Sequence, residues 1–143
     1  MFHPAIKQDI IDRINKLTPE TKQLWGKMNV SQMLSHVQLP INCAYGTHKI
    51  KGSLLLRIVG PLFKSVLYND KPYKQSLPTD PSYIVVDAKS FETEKQKLLE
   101  LVNKFSPDAV VLLNHPVWGK LTKDQWSKAT WKHLDHHLKQ FGV

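Results

Sequence analysis

The end of the chain constrains the fold most. Thr122-Lys-Asp-Gln125 has the capping-box pattern that opens a helix, and Gly142 follows Phe141 as a natural stop. Inside this segment His133 and His137 stand four residues apart, so both rings project from one helical face. Counting about 100° per residue, both fall within about 20° of Trp126, with Ala129 and Phe141 on either flank. Two imidazoles therefore sit inside the apolar arc and point inward. Asp135 is expected on the opposite, solvated side, and His136 on the edge of the arc. Burying two bare imidazoles is costly unless their nitrogens find partners. The rest of the fold has to supply them, from backbone and water in an ordinary core or from a metal ion.

A second well-capped helix is the natural source. Asn29-Val-Ser-Gln32 repeats the capping pattern, and Val30, Leu34, Val37, Ile41 and Ala44 form the apolar stripe. Pro40 predicts a kink within it, and Gly46 its end. His36 lies on the flank of this stripe, and helices packed side by side bring such positions together in bundle metal sites. Three protein ligands with one open position is the usual arrangement of a catalytic metal. Cys43, seven residues on, falls on about the same face: a thiol near the site, or a passive buried side chain. His115, in the segment leading into the last helix, reads as a loop residue shaping the pocket mouth; His3 and His48 read as surface residues.

The remaining patterns are also helical. Ile6, Ile10, Ile14 and Leu17 share one face, and Thr18-Pro19-Glu20 predicts a short second segment ending near Gly26. Residues 54–67 are apolar but interrupted by Arg57, Gly60-Pro61 and Lys64; they are too short to span a bilayer and read as a buried, kinked core helix. The stretch 69–82, with three prolines, reads as a long surface connection of the kind that caps a site. Ser90 opens a helix with Phe91, Leu98, Val102 and Phe105 on its core face and Glu92 and Glu94 in its first turn. The β-branched runs 83–86 and 109–113 could pair as strands but read better as extended connections over a helical core. The expectation is a single all-α domain over all 143 residues.

Composition narrows the function. The net charge is +8, but only Arg13 and Arg57 carry the guanidinium fork that reads bases and clamps phosphate, and the lysines are scattered. Nucleic acid is not the expected partner, nor is a membrane. One cysteine excludes an internal disulfide framework and a thiolate zinc site. With no charged segment and apolar core of a secretion signal near Met1, the cytoplasm is the expected location. Leu134 follows His133 where a zinc protease would carry Glu, and no Gly-x-Ser-x-Gly, Walker loop or dinucleotide fingerprint occurs.

Three stretches together, Trp25–His36, His115–Thr122 and Lys132–Val143, resemble the DinB-like (YfiT-like) superfamily of metal-binding four-helix bundles, and within it a small uncharacterised bacterial subfamily. The resemblance implies a four-helix bundle with a short extra helix and long loop connections. It implies a divalent metal, zinc or nickel, held by His36, His133 and His137; the residues themselves add His115, His136 and Cys43 as candidate pocket residues. It also implies a homodimer, and chemistry on a low-molecular-weight thiol or a small electrophile.

Two functions follow. One is a metal-dependent enzyme with an open three-histidine site, a thiol-dependent transferase or a hydrolase. The other is a non-catalytic metal-binding or stress-associated interaction module. An open pocket beside the ion favours the first; a closed, fully ligated site favours the second.

Overall fold

The structure, a computed structural model, describes residues 1–50, 52, 54–76 and 83–143. Five helices carry it: α1 (Pro4–Lys16), α2 (Val30–Ala44), α3 (Leu54–Phe63), α4 (Phe91–Lys104) and α5 (Lys123–Gln140). A 3₁₀ turn, Lys64–Leu67, continues α3, and two-residue strands β1 (Asn114–His115) and β2 (Gly119–Lys120) pair antiparallel before α5. The fold is all-α. No helix among the described residues is long and apolar enough to cross a membrane.

Both capping boxes form. Asn29 and Thr122 each accept from the backbone of a glutamine three residues on, whose side chain accepts from the cap's own N–H. The apolar stripe of α2 is buried throughout, as are Phe91, Leu98, Val102 and Phe105 of the α4 segment. Ser90 holds the cap position of α4 without bonding its backbone; its hydroxyl accepts from Thr93 Oγ1 instead. The runs 83–86 and 109–113 form no strand.

Four helices make the bundle, each packed mainly on two others: α1 on α4 and α5, and α2 on α4 and α5. Polar contacts reveal the directions. Lys7 Nζ, early in α1, donates to Asn103 O and Phe105 O at the end of α4, at 3.0 and 2.8 Å. Lys95 Nζ, early in α4, donates to Asn15 O and Leu17 O at the end of α1, at 3.1 and 2.9 Å. Each lysine meets carbonyls that their own helix leaves unbonded, so α1 and α4 run antiparallel. Phe2 N meets Ser127 Oγ at one end of α1 and Arg13 meets Asp135 at the other, so α1 and α5 run parallel. Gln38 Nε2 bonds Glu94, and Tyr45 Oη bonds Leu101 O, so α2 runs with α4. The order up, down, down, up leaves α2 antiparallel to α5, the pair that carries the inward histidines.

Four sequence expectations change. Residues 18–26 form turns, not a helix. Ile6, at the first position of the α1 stripe, is exposed. The helix at 54–67 is not core: Leu54, Leu55, Ile58, Leu62 and Phe63 face outward, and α3 lies outside the bundle against the hairpin. Its contact runs through Gly60, where a Cβ would collide with the Val117 carbonyl. Asp135 is not solvated; Arg13 Nη1 at 3.0 Å and Lys139 Nζ at 2.8 Å enclose its carboxylate. Residues 77–82 of the proline-rich connection, including Pro78 and Pro81, lie outside the described residues.

Arg13 also reaches Asp135 O and Val143 O with Nη2, at 3.4 and 3.0 Å, and so ties α1 to the end of α5. Arg13→Ala is expected to lower unfolding stability by about 1–2 kcal/mol, the range for a partly buried charged hydrogen-bonding group. Urea denaturation checks this; an unchanged midpoint would mean the clamp contributes nothing.

Candidate metal centre

The capped start of α2 sets the phase that turns His36 toward α5, and the capped start of α5 does the same for His133 and His137. Among the described residues these three rings form a cluster able to hold a metal ion, with one nitrogen from each lying within 4.8 Å of the other two. His36 Nε2 and His133 Nε2 are 3.2 Å apart. Ring centroids are 5.1 Å apart for His36–His133 and 4.7 Å for each pair with His137. A tetrahedral ion bonded to nitrogens at about 2.0–2.1 Å holds them about 3.3 Å apart, close to the His36–His133 separation.

The far side of two rings is held. His36 Nδ1 lies 2.8 Å from the Tyr83 carbonyl. A carbonyl only accepts, so Nδ1 carries the proton and Nε2 keeps its lone pair. His137 Nδ1 lies 2.8 Å from Gln140 Oε1, and Gln140 Nε2 donates in turn to Trp25 O at 2.7 Å. With the amide oriented by that second bond, His137 Nδ1 is also the donor and its Nε2 is free. Outer hydrogen bonds of this kind fix ring orientation and tautomer in metal sites. Gly26 makes the Gln140 link possible: its φ is +84°, and a Cβ there would collide with Gln140 Nε2.

Electrostatics favour the same protonation state. Burial lowers the pKa of all three histidines, and for His133 and His137 the neighbouring rings lower it further. His133 falls well below the usual 6.5 and His137 to about 3. Neutral imidazoles with inward lone pairs are the form that binds a cation. The donor set fits a divalent ion, and three nitrogens leave a further position on it open.

Beside the cluster lies a cavity of about 1050 Å³, walled by α2, α5, the hairpin and the α3 segment. His136 lines it, its ring 5.1 Å from that of His137 and 6.0 Å from that of Trp25; burial lowers its pKa too. His115 also lines it, from strand β1 and not a loop, and its Nδ1 accepts from Val117 N and Trp118 N at 3.0 and 3.2 Å. That nitrogen shapes the turn and stands outside the three-histidine cluster. Cys43 corrects the expectation of a pocket residue: it is fully buried, does not line the cavity, and burial pushes its thiol up to about 11. Its thiol hydrogen-bonds the Tyr83 side chain, which lines the cavity. Tyr73 and Ser76 bring the proline-rich connection to the cavity wall. His3 is exposed, whereas His48 is half-buried, with its ring 6.1 Å from that of Tyr83.

A family model described as a protein of unknown function, DUF1569, matches residues 5–142. The chain belongs to the DUF1569 family. No curated protein and no solved structure matches it. The match spans all three clustered histidines and both residues that hold their outer nitrogens.

Residue identity carries no sign of those two holders. Tyr83 acts through its carbonyl, which any residue carries, and Gln140 differs from other helix-end glutamines only in space. Lys132 has no local signature either. It is buried, its Nζ donating to Val66 O, Asn69 O and Asn69 Oδ1 at 2.7, 3.1 and 2.7 Å, and it ties the turn after α3 to α5 beside the site.

Two predictions follow from this geometry. Gln140→Ala is expected to weaken zinc affinity about 10–100-fold, the range for losing an outer hydrogen bond to a ligand histidine; competition with a chromophoric chelator measures it, and unchanged affinity contradicts the role. In metal-free protein, His137 binds its proton in the unfolded chain at about pH 6.5 but in the folded chain only near pH 3. The unfolded state thus binds more protons over that window, so stability falls as pH drops through it, by about 2 kcal/mol from pH 7 to 5 for this residue. His137→Gln should flatten that slope in urea titrations, and an equal slope would contradict a neutral buried ring.

Proposed function

We propose that the chain is a divalent-metal enzyme, with zinc or nickel held by His36, His133 and His137, acting on a low-molecular-weight thiol or a small electrophile as a transferase or hydrolase. The observation that carries this reading is the convergence of the three rings while Tyr83 O and Gln140 Oε1 hold the outer nitrogens of two of them. The resemblance to DinB-like bundles supports it.

A divalent ion held by three neutral imidazoles keeps its full charge, and so lowers the pKa of a bound water or thiol and polarises a bound carbonyl. The chain's own part is positional. His36 is anchored by its bond to Tyr83, and His137 by Gln140 and Trp25. The low proton affinity of the rings leaves their lone pairs available throughout the neutral range. Asp135 faces α1, bound to Arg13 and Lys139, and takes no part.

The non-catalytic module is the rival. A purely structural ion would sit in a closed, fully ligated site. The cavity of about 1050 Å³ beside the histidines favours the enzyme.

Elemental analysis of purified protein is expected to find about one zinc or nickel per chain in the wild type, by the stoichiometry of a single triad, and none in His137→Ala. Trace metal in both would return the three histidines to an ordinary core. Metal-loaded wild type should accelerate conjugation of a small thiol to an aryl halide, or hydrolysis of an activated ester. His133→Ala should fall to the uncatalysed rate. Wild type that holds the ion but accelerates neither reaction would favour the interaction module.

A further inference from the structure

The cavity is much larger than the cluster needs, and its chemistry is one-sided. At about 1050 Å³ it is at the upper end of the range for ligand sites. Among the described residues no aspartate or glutamate lines it, and Lys27 is the single Lys or Arg. Trp25, Trp118, Trp126, Tyr73 and Tyr83 contribute five aromatic side chains, and about half of the remaining lining residues are aliphatic. A small polar substrate would leave that apolar wall facing water, whereas an apolar body would displace the water. The three histidines are neutral and, around a cation, would present net positive charge to a wall that is otherwise mainly apolar, with His115, His136, Thr130 and Gln140 among its polar members. With no carboxylate among the described lining residues, none of them opposes an anion there.

We infer that the substrate is an apolar, ring-bearing molecule with a single anionic donor group, the donor at the three-histidine end and the ring against the aromatic wall. This rests on the metal reading for the anionic end only; the aromatic wall stands without it. Trp118 is suited to testing the wall. It sits on the hairpin, half-buried, its ring 6.4 Å from that of His115, and its backbone N–H, which any residue carries, makes the bond to His115 Nδ1.

Three probes separate the parts: 3-phenylpropanoate, propanoate and 3-phenylpropan-1-ol. Calorimetry would measure each on zinc-loaded and zinc-stripped wild type and on Trp118→Ala, with zinc content determined in parallel. Loaded wild type should bind 3-phenylpropanoate at least about tenfold more tightly than propanoate, because only the former buries a ring. It should also prefer 3-phenylpropanoate to the alcohol. Stripped wild type should lose the preference for the acid over the alcohol but keep the preference for the ring. Trp118→Ala should weaken 3-phenylpropanoate about fivefold or more, from lost apolar burial, with unchanged zinc content. Equal affinity for 3-phenylpropanoate and propanoate, with zinc bound, overturns the inference and leaves the metal reading intact. Ring preference in a protein that takes up no zinc supports the apolar site and overturns the metal reading.

Discussion

Desolvation of three imidazoles is the constraint on which the structure turns. A histidine in water is close to half-protonated near neutral pH; a buried one is neutral, because the charged form loses its hydration. His36, His133 and His137 share a low-dielectric space, and the charge of any one ring opposes charging of the others. Neutral rings still have polar nitrogens to satisfy. On the outer side the fold does so with a carbonyl and an amide. On the inner side His36 Nε2 and His133 Nε2 lie at hydrogen-bond distance, 3.2 Å apart, a pair of nitrogens that a cation could share.

The bundle serves this arrangement. Antiparallel α2 and α5 present their histidines from opposed directions, each in a phase set by a capping box at its own start. The reciprocal lysine contacts between α1 and α4 and the Arg13 clamp on α5 fix the outer helices, so the α2–α5 seam is held from both sides. Lys132 then attaches the turn after α3 to the outside of α5, which brings α3 over the site as a wall of the cavity. A polar residue on the flank of a helix thus helps create the enclosed space that an apolar core alone would have filled.

The sequence reveals what depends on local chemistry. Capping boxes, the α2 and α4 stripes, and the inward phase of His133 and His137 are readable from spacing, because helix geometry ties spacing to face. What it hides depends on tertiary neighbours. Leu54, Leu55 and Leu62 have the same apolarity whether they face a core or solvent, so the exposure of α3 has no local signature. Asp135 reads as a solvated acid until Arg13, more than a hundred positions away, is folded against it. Ile6 continues a stripe that the neighbouring helices do not reach. Tyr83 holds His36 through its backbone, and backbone leaves no trace in residue identity. Gly26 reads as a segment end, yet its bare backbone is what lets Gln140 reach Trp25 O.

The central claim is that one ion is bonded by three imidazole nitrogens from two helices and keeps a position open to the cavity. X-ray absorption at the zinc edge of the loaded protein tests it most directly. The account predicts about three nitrogen scatterers at 2.0–2.1 Å with the multiple-scattering pattern of imidazole, plus one light exchangeable ligand. A shell of oxygen atoms alone, or four protein ligands with no exchangeable position, would contradict it.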